Sequence, residues 1–336
     1  MNSILPINPQ DKRVVNGKAD INQLSPMKYP WAWEYFLNAN KNHWTPLEVP
    51  MGPDIADYRI LTPAERHVYE NVLAYLTTSD ILAMRNIGLA VMEKMSAPEL
   101  QIYQARQVYE EALHTWTYQN CIENLGLDQG EIYNRYRVVP EINAKIQMSN
   151  KRMGAILSSN IDLTGRHALH MFAMSYLFFA AVFEGAWFYN GFSPVFSLQR
   201  RGLMKATGEQ FQYIMRDEVM HASFGLRVIR TMLDEEDLTL DPAEVAEMWR
   251  ESHVAEENYI RYVLRDPILG YTADMHMGQF RYIANRRMKQ IGLPDPYPGA
   301  EPTMPWLDEQ IGIKKEKNFF ETRPTEYQTG GALEWD

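Results

Sequence analysis

Apolar positions recur along most of this chain at intervals of three and four, the spacing that lines one face of an α-helix. Helix-start signals precede these runs. Thr62-Pro63-Ala64-Glu65 and Ser96-Ala97-Pro98-Glu99 read as capping boxes with an early proline, and Thr207 to Gln210 and Asp241 to Glu244 repeat the pattern. Gly126 follows Leu125 where a C-terminal cap belongs. Long helices are predicted near 62–95, 97–125, 164–190, 207–233 and 241–266, with shorter ones near 30–41, 140–157 and 270–291. Alternating, strand-like runs are scarce, so an all-α bundle follows. Residues 1–25 are polar and mixed and read as an arm, and 26–293 as the helical domain. From Pro294 prolines cluster and periodicity fades, so 294–336 reads as a largely flexible tail ending in Gly330-Gly331, Leu333 and Trp335.

Several polar residues sit on stripes that should face inward. In EEALHTWTYQN, Glu111, His114 and Tyr118 share a helical stripe with Val108, Cys121, Ile122 and Leu125. In RDEVMHASFG, Glu218 and His221 share one with Phe211, Ile214, Gly225 and Val228. These are the two places where a histidine follows a glutamate by three residues. Glu184 stands in FFAAVFEGAWF among apolar residues on every side, and Asp80 shares its stripe with Leu73, Leu76, Ala83, Met84 and Ile87. Four helices thus carry four inward carboxylates and two inward imidazoles. Leaving those anions buried and unpaired would cost many kcal/mol, and no inward lysine or arginine is evident to match each one. Two divalent cations would cancel the charge. Carboxylates with a few imidazoles suit iron or manganese better than a soft metal. A ferritin-like di-metal bundle uses a glutamate from each of two helices and Glu-x-x-His from each of the other two, and Asp80 here replaces one glutamate.

Composition narrows the rest. The chain has 336 residues, a formal net charge of −10 and one cysteine, Cys121. The acidic balance offers no basic footprint for nucleic acid, and a lone thiol suits a reducing, cytoplasmic setting without an intrachain disulfide. Met171 to Phe188 is nearly long enough to span a membrane, but Glu184 interrupts it and no basic cluster flanks it, so a central bundle helix is the reading taken. No glycine-rich phosphate loop is present.

On these residues the sequence resembles, over nearly its whole length, the radical-generating small (beta) subunit of class I ribonucleotide reductase. The resemblance implies a ferritin-like fold and six metal ligands at Asp80, Glu111, His114, Glu184, Glu218 and His221. It also implies two metal ions, iron or else manganese or a mixed pair, activated by O2. By the same resemblance Tyr118, one turn beyond His114, is the stored tyrosyl radical, enclosed by Phe188 and Phe192. A relative class replaces this tyrosine with phenylalanine and the aspartate ligand with glutamate; Asp80 and Tyr118 place this chain with the tyrosyl type. The resemblance further matches Trp44 and Asp217 to a relay leading to His114, with Asp217 accepting a histidine N–H, and Tyr327 to a tail tyrosine that passes the oxidising equivalent on. It implies a homodimer, a large subunit docked on the tail through Leu333 and Trp335, ribonucleotide reduction on that partner with diphosphates as substrates, and for some metal fillings a flavoprotein activator. A stand-alone di-metal oxidase or oxygenase would share the six ligands but would not need Trp44, Asp217 and Tyr327 together.

Overall fold

The computed structural model describes residues 8–154, 156–157 and 161–312, with side chains up to 310 at the C-terminal end. In chain order the helices are α1 (Pro30–Ala39), α2 (Gly52–Ile60), α3 (Pro63–Asn86), α4 (Pro98–Asn124), α5 (Gln129–Val138), α6 (Pro140–Gly154) and α7 (Arg166–Leu177). They continue with α8 (Tyr189–Gly191), α9 (Ser193–Arg200), α10 (Lys205–Glu235), α11 (Pro242–Val263), α12 (Ala273–Gln290) and α13 (Pro305–Gly312). A single isolated bridge, Ile268 to Tyr271, is the only β pairing among the described residues. The predicted long helices are present. The short helices α2, α5, α9 and α13 were not anticipated.

Among the described residues, two stretches that continue α-helices are wound as π-helix. Ile87–Val91 is π-helical and carries α3 into a 3-10 turn, Met92–Lys94. Phe178–Phe188 is also π-helical and joins α7 to α8 without a break. The apolar helix built from these pieces is long enough to cross a membrane by length and composition, yet 94% of its most apolar window is buried inside the protein. It is a core helix, because α10 and α12 pack against the π stretch. Gly225 on α10 lets that approach happen: a Cβ there would lie 2.5 Å from the Ala180 Cβ.

The start signals divide on inspection. Thr62 and Glu65 form the reciprocal capping box, with Pro63 in the first turn of α3. Asp241 accepts from the Ala243 N–H at 2.9 Å and caps α11. Gly126 takes the left-handed φ of +66° after α4. The Ser96–Glu99 box does not form. Ser96 Oγ instead accepts from the Gly17 N–H at 3.0 Å and donates to the Arg13 carbonyl, while Glu99 accepts from the Lys28 and Tyr29 backbone N–H groups and from Lys12 Nζ. Those residues tie down the N-terminal arm rather than the helix. Thr207 is likewise no cap. It lies inside α10, and the Asp54 carboxylate from α2 accepts from the Ala206 and Thr207 N–H groups at 2.9 and 2.7 Å. That buried anion at a helix N-terminus caps α10 from another element.

The region after Pro294 is more ordered than its composition suggests. Met304 and Leu307 are fully buried, and the Met304 N–H donates to Gln279 Oε1 at 2.9 Å. Helical structure therefore resumes in α13 within what read as the start of the tail. Tyr327, Leu333 and Trp335 lie outside the described residues.

Candidate metal centre

Four parts of the bundle core deliver the six inward polar residues found in the sequence. Asp80 comes from α3, Glu111 and His114 from α4, Glu184 from the π stretch, and Glu218 and His221 from α10. All six side chains are 0–1% exposed. They fall into two overlapping quartets, Asp80 with Glu111, His114 and Glu218, and Glu184 with Glu111, Glu218 and His221. Within each quartet the candidate ligand atoms lie within 4.8 Å of one another. Glu111 and Glu218 belong to both, so each can offer one oxygen to either side. His114 Nδ1 lies 3.1 Å from Glu218 Oε1 and 3.7 Å from Glu111 Oε2. His221 Nδ1 mirrors it, 3.1 Å from Glu111 Oε1 and 3.5 Å from Glu218 Oε2.

The donor set fits two cations on a specific observation. Both oxygens of Asp80, Glu111 and Glu218, one oxygen of Glu184 and the Nδ1 atoms of both histidines are buried without a hydrogen-bond partner. Buried polar atoms left unbonded each cost about 1–3 kcal/mol, more when charged. Other such atoms are spread through the interior, but these nine gather on six convergent side chains. Buried lysines do exist, but Lys12 pairs with Glu99 and Lys145 with Glu256, neither in this cluster.

The charge state of the bare cluster follows from the same geometry. Burial, then the neighbouring Glu111 carboxylate, pushes Asp80 well above the usual carboxylate range. Burial also pushes Glu184 up. Burial opposes ionisation of Glu111 too, but His114 and His221 overcome it and hold that carboxyl down to about 2. Burial disfavours both imidazolium ions, yet the carboxylates around them prevail and raise both histidines well above their ordinary value.

Behind each histidine stands a carboxylate from the opposite helix. His114 Nε2 is 3.2 Å from Asp217 Oδ2 on α10, and His221 Nε2 is 2.8 Å from Glu110 Oε2 on α4. Such partners fix the ring so that the other nitrogen faces the metal. Glu110, itself bonded by Arg106 Nε at 2.9 Å, was missed in the sequence. The signal was available: Glu110 precedes Glu111 as Asp217 precedes Glu218, so Glu-Glu-x-x-His and Asp-Glu-x-x-His are halves of one repeated design. Gln107 was also missed; its Nε2 donates to Glu184 Oε1 at 2.8 Å.

The remaining candidates gather around this core. Trp44 Nε1 donates to Asp217 Oδ2 at 3.3 Å, and its ring stacks at 5.3 Å on Tyr213 and 6.5 Å from the His114 ring. Asn42 Nδ2 donates to the other Asp217 oxygen. Tyr118 is fully buried and its hydroxyl faces the Asp80 carboxylate. Burial, then the Asp80 and Glu218 carboxylates, pushes its phenol well above its ordinary value. Its ring packs edge-on against Phe211 at 5.6 Å, Phe192 packs on Phe211 at 5.5 Å, and Phe188 lies 6.5 Å from Phe192. Phe211 is therefore the direct ring neighbour, with the two expected phenylalanines behind it.

A family model described as "Ribonucleotide reductase, small chain" matches residues 21–305. The chain belongs to this family. It is an oxidoreductase chain of a kind that works with a large subunit. It is 38% identical over 330 residues to the ribonucleoside-diphosphate reductase subunit beta of Chlamydia pneumoniae, covering 96% of this chain and 95% of that relative. It is 27% identical to the corresponding subunit of Treponema pallidum, covering 96% and 92%. Its fold is similar to the ribonucleotide reductase R2 subunit from Clostridium botulinum, with a TM-score of 0.79 and 23% identity over 89% of this chain and 94% of that one. It is also similar to the dimanganese(II)-NrdF of Streptococcus sanguinis, with a TM-score of 0.68 and 18% identity over 86% and 98%. That ferritin-like fold is the all-α bundle expected from the helix signals.

Proposed function

We propose that this small subunit stores an oxidising equivalent as a radical on Tyr118 and passes it to a large subunit, where ribonucleoside diphosphates are reduced to deoxyribonucleotides. The observation that carries the reading is a buried phenol facing Asp80 beside two quartets that share Glu111 and Glu218. The six residues would hold two metal ions, with Asp80 and His114 on one side, Glu184 and His221 on the other, and Glu111 and Glu218 spanning both. The donor set suits iron and accepts manganese or a mixed pair; the Streptococcus sanguinis protein is named for dimanganese. When bound and exposed to O2, directly or through a flavoprotein activator, the pair supplies one-electron oxidising power.

The protein side follows from its own atoms. Tyr118 gives up one electron and its phenolic proton, and Asp80 is the carboxylate positioned to receive that proton. Phe211, Phe192 and Phe188 keep water and reductants from the ring. On the outward path Asp217 holds His114 in one orientation and accepts from the Trp44 indole N–H, so a proton can shift to Asp217 as the indole is oxidised. Tyr327 would take the equivalent across to the large subunit, with Leu333 and Trp335 as anchors of that tail. We further infer that the chain works as a cytoplasmic homodimer, with an N-terminal arm (1–25), a metal-binding body and a docking tail.

The test is iron loading of the metal-free protein in air, read by optical absorption and electron paramagnetic resonance. The expected result is a sharp phenoxyl band with a matching paramagnetic signal that Tyr118→Phe abolishes. Two bound metals per chain without any Tyr118-dependent signal would overturn the reading.

A further inference from the structure

A second buried charge cluster lies in the bundle with no part in the scheme above. Lys145 on α6 is fully buried, and its ammonium sits over three aromatic faces: Tyr75 at 3.8 Å, Tyr259 at 4.4 Å and Trp187 at 4.6 Å. Its counter-ion, Glu256, is divided. Oε2 pairs with Lys145 at 2.5 Å, while Oε1 takes His276 Nε2 at 2.5 Å. His276 is fixed in turn by the Tyr271 hydroxyl at 2.6 Å, which bonds Ser193 Oγ at 2.6 Å. Burial pulls Lys145 down to about 8, which leaves it mainly charged at neutral pH.

Two of these rings stand next to the metal centre in the chain. Trp187 follows Glu184 by three residues and Tyr75 precedes Asp80 by five; burial first, then the Glu256 carboxylate and more weakly that of Asp80, push the Tyr75 phenol up. A strong oxidant in the centre therefore has electron-rich rings on this side as well as toward Trp44. The two sides are built differently. Trp44 donates its N–H to a carboxylate, so losing an electron can be matched by moving a proton. Trp187 Nε1 has no acceptor, Tyr75 has neither carboxylate nor imidazole bonded to its hydroxyl, and the Tyr259 hydroxyl reaches only the Asn71 carbonyl at 3.4 Å. Oxidation here would leave the proton in place and create a ring cation directly beneath an ammonium.

We infer that Lys145 is an electrostatic insulator: its charge over Tyr75, Trp187 and Tyr259 blocks loss of the oxidising equivalent into this side of the bundle. The blocked step is simple. One electron would leave a cage ring and enter the oxidising centre, and the ring would become a radical cation with its proton retained. A cation on the ring face is attracted by the neutral π system and repelled by the oxidised one, most strongly in a dry interior. The inference rests on the proposed oxidising centre but not on where its equivalent is stored.

The test uses a Tyr118→Phe background, in which the normal store is gone, carrying Lys145→Met with Glu256→Gln so that no unpaired charge is buried. The amide oxygen introduced by Glu256→Gln can still accept from His276. Lys145→Gln with Glu256→Gln, in which the two amides can bond each other, is the second variant should the pair fold poorly, and Lys145→Arg retains the cation. After iron loading in oxygen, freeze-quenched paramagnetic spectra with deuterated tryptophan or tyrosine identify the radical, and peptide mass spectrometry measures oxidised Trp187, Tyr75 and Tyr259. The neutral variants are expected to raise oxidation of cage residues by about tenfold or more at equal metal content, with Lys145→Arg staying at the parent level. Equal oxidation with and without the cation, at any level including none, overturns the inference. A missing Tyr118 signal in the unaltered protein is a separate outcome that refutes only the storage reading.

Discussion

Replacing Glu110 by glutamine separates two roles that the crossed carboxylates could share. Glu110 and Asp217 hold the outer nitrogens of His221 and His114, one from each helix. Neutralising an outer-shell carboxylate costs about 10–100-fold in metal affinity, which is about 1.4–2.8 kcal/mol. The Glu110 contact is the shorter, 2.8 Å against 3.2 Å, and a part-buried Arg106 bond at 2.9 Å fixes it, so Glu110→Gln belongs toward the upper end. Asp217 divides its charge among His114, Trp44 and Asn42, so Asp217→Asn belongs toward the lower end. Calorimetric Mn(II) titration of the metal-free variants measures this directly. Nucleotide reduction with the large subunit at saturating metal then gives the second comparison. Glu110→Gln should recover most of its turnover there, whereas Asp217→Asn should not, because only Asp217 also accepts from Trp44. Equal recovery of both variants, or unchanged metal affinity in Glu110→Gln, would refute the reasoning.

Other outcomes follow from the same contacts. Metal binding must expel protons from His114 and His221, both raised by surrounding carboxylates, and from Asp80 and Glu184, raised by burial; affinity should therefore climb as pH rises through neutrality, with Glu111, held near 2, contributing nothing. Titrations in buffers of different ionisation enthalpy would count those protons, and binding without release would contradict the charge assignment. Tyr118→Phe should lower the stability of the metal-free protein by no more than about 1 kcal/mol, because the Asp80 carboxyl is the partner its hydroxyl faces; a larger loss in denaturant unfolding would reveal a further partner. Gly225→Ala should destabilise by about 1–3 kcal/mol in denaturant unfolding, since its Cβ would meet Ala180 Cβ at 2.5 Å, and an unchanged midpoint would show that α10 and the π stretch can separate.

What the amino-acid order revealed depended on whether a residue violated its local pattern. Asp80, Glu111, Glu184 and Glu218 stood out because a carboxylate on an apolar stripe demands compensation, and the structure brings all four together with His114 and His221. Glu110 did not stand out, since it lies off the stripe and its charge is met by Arg106, a contact set by side-chain reach. The π winding of Phe178–Phe188 was not legible because a run apolar on every side has no periodicity to shift. Thr207 misled for a tertiary reason: the cap of α10 is Asp54, about 150 residues earlier in the chain, and no local signal announces it. The Lys145 cage joins α3, α6, α11 and the π stretch, so it exists only after packing.

The proposed chemistry needs two cations among six convergent side chains. Anomalous diffraction from crystals of the metal-loaded protein tests that most directly. The prediction is two peaks per chain, one bounded by Asp80 and His114, the other by Glu184 and His221, with Glu111 and Glu218 touching both. A single peak, or metal bound anywhere that leaves Glu111 and Glu218 unligated, would contradict it.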